Sequence, residues 1–333
     1  MSINILTPVS IWKDFILPQN INAVFLSEIS ENGIITKRFF VDGRETEKGQ
    51  VKILLTIMQK ESVKNAPALF MLKEFEKDAI FSSMKQIALD GYIACTVDIE
   101  GKVEGLSNYT IYPEDIEYAN YSDIKDNLYK ISNSAKETCW YEWAYVIKYA
   151  IGFLRNNLSI DKIGVIGAGE NVTALWQAVA FNDSVSAFVP IYNTGWKSYK
   201  GHYKFDDEPE IIFPDEELSF VAGIEPQSYA SYVKCPTYSV CNNNDILFEP
   251  DRAHDTIKRI DNSVKGILYE NKCLHGLTNE SVKAIKVFLD ETLKKDNIEF
   301  NEPLISSKLS NGEITVTIET FNEIEDITLY ASE

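Results

Sequence analysis

The chain has 333 residues, 45% of them apolar and 12% aromatic, which is enough to bury a large core and too many for a disordered chain. Its 32 basic residues stand against 50 acidic ones for a formal net charge of −18, a balance that repels polyanions and excludes nucleic acid as a partner. No apolar run approaches the roughly 18 residues that cross a bilayer, and the start, MSINILTPVSIWKDF, has no basic stretch leading into an apolar one, so a soluble, unexported protein with no membrane partner is expected.

In chain order, the first elements are two β-like runs, Ile34 to Val41 and Val51 to Met58, split by the turn-rich DGRETEKG and most simply joined as a hairpin. From Pro67 the pattern changes. Ala68 to Leu72 and Tyr92 to Val97 read as buried strands with a helix from Asp78 to Leu89 between them. The segment WYEWAYVIKYAIGFL repeats Trp140, Trp143, Ile147, Ile151 and Leu154 at three- and four-residue steps, which predicts one apolar helix face and makes its tryptophans core before recognition. A strand from Lys162 to Gly167, a helix from Val172 to Phe181 and a strand from Val185 to Tyr192 follow. Such alternation predicts an α/β fold in three layers, with a mostly parallel sheet covered on both faces.

Residues 193–232 interrupt the alternation, aromatic at first and acidic in the middle, as a lid or pocket wall would be. It resumes with Thr237 to Cys241, a helix from Asp251 to Ile260, Val264 to Glu270, and a last helix from Asn279 to about Lys294. In that helix Val282, Ile285, Leu289 and Leu293 give the apolar stripe and Asn279 the expected N-cap. Residues 299–333 differ in character, with eight acids against Lys308. There EITVTIETF alternates and ITLYAS follows a polar turn, so antiparallel strands with one buried face are expected. Either they pack on a main domain of residues 1–298 or they begin a β-domain this chain does not complete.

The most informative segment is KIGVIGAGENVTALWQAVAF, a strand, a glycine turn and a helix. A dinucleotide fold would need G-x-G-x-x-G, but Val172 takes the third glycine position and no acid ends the next strand, so no nucleotide cofactor is expected. The other use of this geometry is the nucleophile elbow, G-x-S-x-G. Around it stand GYIACTVDIEGK with Asp98, the WYEWAY helix, VPIYNTGW, CPTYSVCNNND ending at Asp245, and ENKCLHG with His275. With these segments the chain resembles the α/β-hydrolases over roughly residues 34–295, and within them the bacterial branch of acetyl xylan esterases and dienelactone-hydrolase-like proteins. The resemblance implies an elbow, then an acid at Asp245, then a histidine at His275, the Ser…Asp…His order of that fold. It also implies an oxyanion hole from the backbone of Glu170 and of Lys73 or Glu74.

The elbow itself departs from the pattern. Laid on G-x-S-x-G it reads Gly167, Ala168, Gly169, Glu170, Asn171, so the nucleophile position is a glycine and acyl transfer through a serine is excluded there. The expectation is an esterase homologue with a degenerate triad that keeps a pocket for a small ligand, such as a carbohydrate ester, or for a partner. An active ester hydrolase in which Glu170 or His275 directs water, and a structural or homo-oligomeric assembly module, are the alternatives. Asp245 and His275 also read as ordinary loop residues when taken alone. Tyr192, Trp196 and Tyr199, with Lys197 between them, could stack on a ligand or simply pack an irregular lid. Cys95, Cys139, Cys235, Cys241 and Cys273 are scattered, with no CxxC and no histidine at ligand spacing, which predicts buried free thiols in a reducing cytoplasm and no metal.

Overall fold

A computed structural model describes residues 3–72, 80–103, 108–199, 213–243, 250–270, 276–296 and 304–320. After a short helix α1 (Pro8–Trp12), three long strands, β1 (Ala23–Glu31), β2 (Ile34–Thr46) and β3 (Gly49–Lys60), form an antiparallel ribbon. Then follow β4 (Ala68–Leu72), α2 (Ile80–Leu89), β5 (Ile93–Val97), α3 (Tyr121–Ile124), α4 (Cys139–Asn156), β6 (Ile163–Ala168), α5 (Val172–Val179) and β7 (Ala187–Ile191). The rest comprises α6 (Asp215–Gly223), α7 (Pro226–Tyr229), β8 (Thr237–Asn242), α8 (Pro250–Lys258), β9 (Lys265–Glu270), α9 (Asn279–Lys294) and the pair β10 (Leu304–Ser310) and β11 (Glu313–Glu319). Nine strands make one sheet in the order β1-β2-β3-β5-β4-β6-β7-β8-β9, parallel from β5 onward.

Both faces of this sheet are covered, which is why its central strands read as continuous apolar runs. Alternate residues serve opposite layers. Phe70 and Phe188 join the core under α4 and α5, whereas Leu69, Ala187, Val189 and Ile191 meet Ile285, Phe288, Leu289 and Leu293 of α9. The expected stripe of α4 is wholly buried, and its Trp140 and Trp143 indoles donate to the carbonyls of Leu128 and Ala119 at 2.7 and 2.9 Å. Gly167 has a packing reason, because a Cβ there would sit 2.5 Å from Leu175 Cδ1 on α5.

Several local expectations need correction. The first hairpin is longer than its apolar runs, with β2 continuing to Thr46 and only Glu47 and Lys48 left for the turn. An added strand, β1, pairs with it from the outside. Thr278 caps α9, its hydroxyl accepting from the Ser281 amide, so Asn279 is the first helical residue; Val282 is exposed, and Phe288 takes the core place assigned to it. In the C-terminal hairpin the expected buried face is not found in the described strands: Ile305, Leu309 and Ile314 are 68–71% exposed. ITLYAS lies outside the described residues. Among the described residues no helix is long and apolar enough to cross a membrane.

Candidate functional site

Strand β6 runs into Gly169, where the chain turns sharply before α5 begins at Val172. Gly169 has φ +76°, a conformation that costs glycine nothing and that a nucleophile elbow imposes on its central residue. The turn is tied down on two sides. The Gly169 amide donates to the Ile191 carbonyl at 3.1 Å, and the buried Asn193 side chain, just past β7, donates to the carbonyls of Gly169 and Glu170 at 3.1 and 3.2 Å and to Thr173 Oγ1 at 3.0 Å. Asn193 was not singled out from the sequence, since its role depends on the neighbouring strand. Asn171, at the last position of the elbow pattern, is fully buried, and among the described residues neither polar atom of its side chain has a hydrogen-bond partner.

Glu170 projects from the elbow toward the segment that follows β7. Its carboxylate accepts from Lys197 Nζ at 2.8 Å. The Lys197 ammonium also lies 3.2 Å from the centre of the Tyr129 ring. Burial and the neighbouring Glu170 carboxylate both raise the Tyr129 pKa, so the hydroxyl stays a donor. Behind this group Glu225 is buried, and burial pushes its carboxyl above the usual range although Gln227 and the Ser198 amide donate to it. The space directly beside the elbow, between Glu170, Asn193, Lys197 and Glu225, is only about 10 Å³. On its outer side Tyr129, Lys197 and Phe220 also line a larger hollow of about 390 Å³, bounded further by Pro214, Glu216 and Glu217.

The other expected site residues divide sharply. Asp245, His275, Lys73 and Glu74 lie outside the described residues. Tyr192 is not an open pocket face. With φ +55° it turns its ring into the core, and its hydroxyl donates to Glu270 and, at 3.0 Å, to the Gly276 carbonyl. Burial alone would raise the Glu270 pKa, but donors from Ser281, Tyr192 and Thr278 hold it below the usual carboxylate range. Glu270 thus clamps the end of β9 to the start of α9, on either side of the segment that contains His275. Trp196 and Tyr199 pack on one another at 5.1 Å and on Arg252, with the Trp196 indole donating to Thr256, so they belong to the wall rather than to the elbow pocket. Asp98 organises its own loop, accepting from the amides of Glu100, Gly101 and Thr110. Cys95, Cys139, Cys235 and Cys241 are free and buried; Cys273 lies outside the described residues.

By sequence, no protein-family model and no curated protein matches the chain. By structure, it is similar to an acetyl xylan esterase from a Paenibacillus species (TM-score 0.62, 14% identity, 86% of this chain and 92% of that one). It is similar also to acetyl xylan esterase 1 from a Thermoanaerobacterium species (0.57, 13%, 80% and 87%). A cold-adapted esterase from an Arctic intertidal metagenomic library is a third (0.52, 12%, 80% and 97%). Identities this low speak to architecture alone.

Proposed function

We propose that this chain of α/β-hydrolase fold is a non-catalytic esterase homologue, working in the cytoplasm, that binds a small ligand in the hollow on the outer side of its filled elbow without turning it over. One observation carries the reading: the elbow backbone is kept at Gly169 while the atom that would attack an ester is missing, and Glu170, Lys197 and Tyr129 fill the space next to it. Acyl transfer needs a side-chain nucleophile and donors aimed at a developing oxyanion. A glycine supplies no nucleophile, and a carboxylate on the adjacent residue opposes a growing negative charge. The reading with Glu170 as a water-activating base is disfavoured by its ion pair, since a carboxylate engaged by an ammonium has less capacity to take a proton from water.

A fluorophosphonate probe tests this. The unmodified protein is expected to remain unlabelled and to give no burst on an activated ester. Slow turnover alone does not decide, because binding and backbone donors can leave about 10³- to 10⁴-fold over water when a triad member is removed. Gly169→Ser is expected to restore labelling if Asp245 and His275 keep their roles. Stoichiometric labelling of the unmodified protein would overturn the proposal.

A further inference from the structure

The outer hollow points to a chemical class of ligand. Its inner wall is the face of Tyr129, met edge-on by Phe220 at 5.5 Å between ring centres. Against that face lies an ammonium, that of Lys197, which also touches the Glu170 carboxylate at 2.8 Å. Ring and carboxylate together form a half-cage that favours a positive head, through the ring quadrupole on one side and a charged hydrogen bond on the other. At present the chain fills it with its own lysine. The rim beyond adds Glu216 and Glu217, and among the described residues neither forms an ion pair, so the described part of the rim adds negative charge beside the apolar Phe220 and Pro214.

We propose that the hollow binds a small organic ammonium ion with an apolar body. The ligand's head replaces Lys197 against Tyr129 and Glu170, and its body lies on Phe220 and Pro214 between the two rim carboxylates. This deepens the binding role proposed above and rests on it. Lys197 acts as a tethered competitor, so the apparent affinity is lowered by the fraction of time the lysine occupies the half-cage. The protein's net charge of −18 further favours the approach of cations.

Calorimetric titration of the whole chain with phenethylammonium chloride, in about 0.15 M salt to screen diffuse attraction, tests this against the neutral isostere 2-phenylethanol. Saturable one-to-one binding is expected, at least tenfold weaker for the alcohol. Lys197→Ala is expected to tighten the ammonium ion at least fivefold by vacating the half-cage, and adding Glu170→Gln should remove that gain. Should Lys197→Ala lose its far-ultraviolet circular dichroism, Lys197→Met keeps the aliphatic stem and serves the same comparison. Equal affinity for the alcohol, unsaturable binding, or a lysine variant that binds no more tightly would each overturn the proposal. Failure here with the protein still unlabelled by fluorophosphonate rejects the ammonium ligand alone. Labelling of the unmodified protein rejects the non-catalytic reading instead.

Discussion

Cations are handled in two different ways at the flank of the sheet built on α4 and at the end that carries the elbow. On the flank, Arg44 of β2 grips both oxygens of Glu142, whose side chain is 1% exposed, with Nε at 2.6 Å and the Tyr118 hydroxyl as a third donor at 3.2 Å. Burial alone would lower the Arg44 pKa, but the Glu142 carboxylate raises it. Further along α4, Lys148 is fully buried with no carboxylate partner among the described residues. Its ammonium donates to the carbonyls of Ala178, in the last turn of α5, and of Ala180, which caps it, at 3.1 and 2.9 Å and lies 4.7 Å from the Trp12 ring. At the elbow, Lys197 and Glu170 are instead 32% and 40% exposed. Where water is absent every partner must be supplied by the fold, so the flank is fixed. Where water reaches, a contact can be exchanged, and exchange is what a binding site requires.

The largest effect that follows is on Arg44. Removing it strands a carboxylate in the interior, and breaking a buried pair costs about 3–5 kcal/mol. Arg44→Ala is therefore expected to lose stability on that scale in urea denaturation, with α4 and the β1–β3 ribbon loosened together. A loss below about 1 kcal/mol, the ordinary worth of an exposed pair, would erase the contrast between the two regions.

Next comes Glu270, which shows that the elbow end is rigid where it is dry. Its carboxylate takes donors from Tyr192, Thr278 and Ser281, and a hydrogen bond to a charged group contributes about 1.5–3 kcal/mol net. Glu270→Gln is expected to destabilise by about 2 kcal/mol on that scale. The folded-state pKa lies below 4.5, so the stabilisation from the carboxylate is present above that value and is lost as pH falls through the folded-state pKa. The glutamine variant should lack that acid-side loss, which chemical denaturation from pH 6 down to pH 3 would register.

Lys148 offers a test with the opposite protonation chemistry. Burial lowers its pKa from 10.5 to about 7, so between those values the unfolded chain holds a proton that the folded chain has released. Stability should therefore rise with pH across that window, and below about pH 7 this lysine should contribute no slope. Lys148→Met is expected to flatten the rise, measured as the difference between the two denaturation curves at pH 7 to 9.5. Parallel curves would mean that the carbonyls and the Trp12 ring hold the ammonium charged throughout, as a fixed bolt like Arg44.

The sequence made the central strands and covering helices legible because each is a local pattern: apolar runs for β4 to β9, and three- and four-residue steps for α4 and α9. It hid β1, whose side chains are mostly exposed and so lack the alternation of a half-buried strand, and β10, LISSKLS, for the same reason. The elbow was legible because strand, turn and helix are contiguous and a glycine stands at the strained position. Its contacts were not, because Tyr129 and Lys197 come from two other segments and only the folded sheet sets them beside Glu170. Which of its two readings Tyr192 takes was not legible for a subtler reason: a positive φ sends its ring inward, and nothing in VPIYNTG announces that turn.

The smallest effect belongs to the elbow pair, and its smallness is the point. Lys197 and Glu170 keep 32% and 40% of their side-chain surface in water, so the attraction is screened and the ordering of two long side chains offsets much of it. Such pairs are worth about 0–1 kcal/mol. Lys197→Ala is expected to shift the urea midpoint only slightly, and less still at high salt, where the pair is already weakened in the unmodified protein. The same variant is expected to bind phenethylammonium more tightly, so one substitution should separate stability from binding. If Lys197→Ala destabilised the chain as much as Arg44→Ala, the lysine would be a structural bolt. The half-cage could then not be vacated at any reasonable cost, and the hollow beside it would be a surface feature without a ligand.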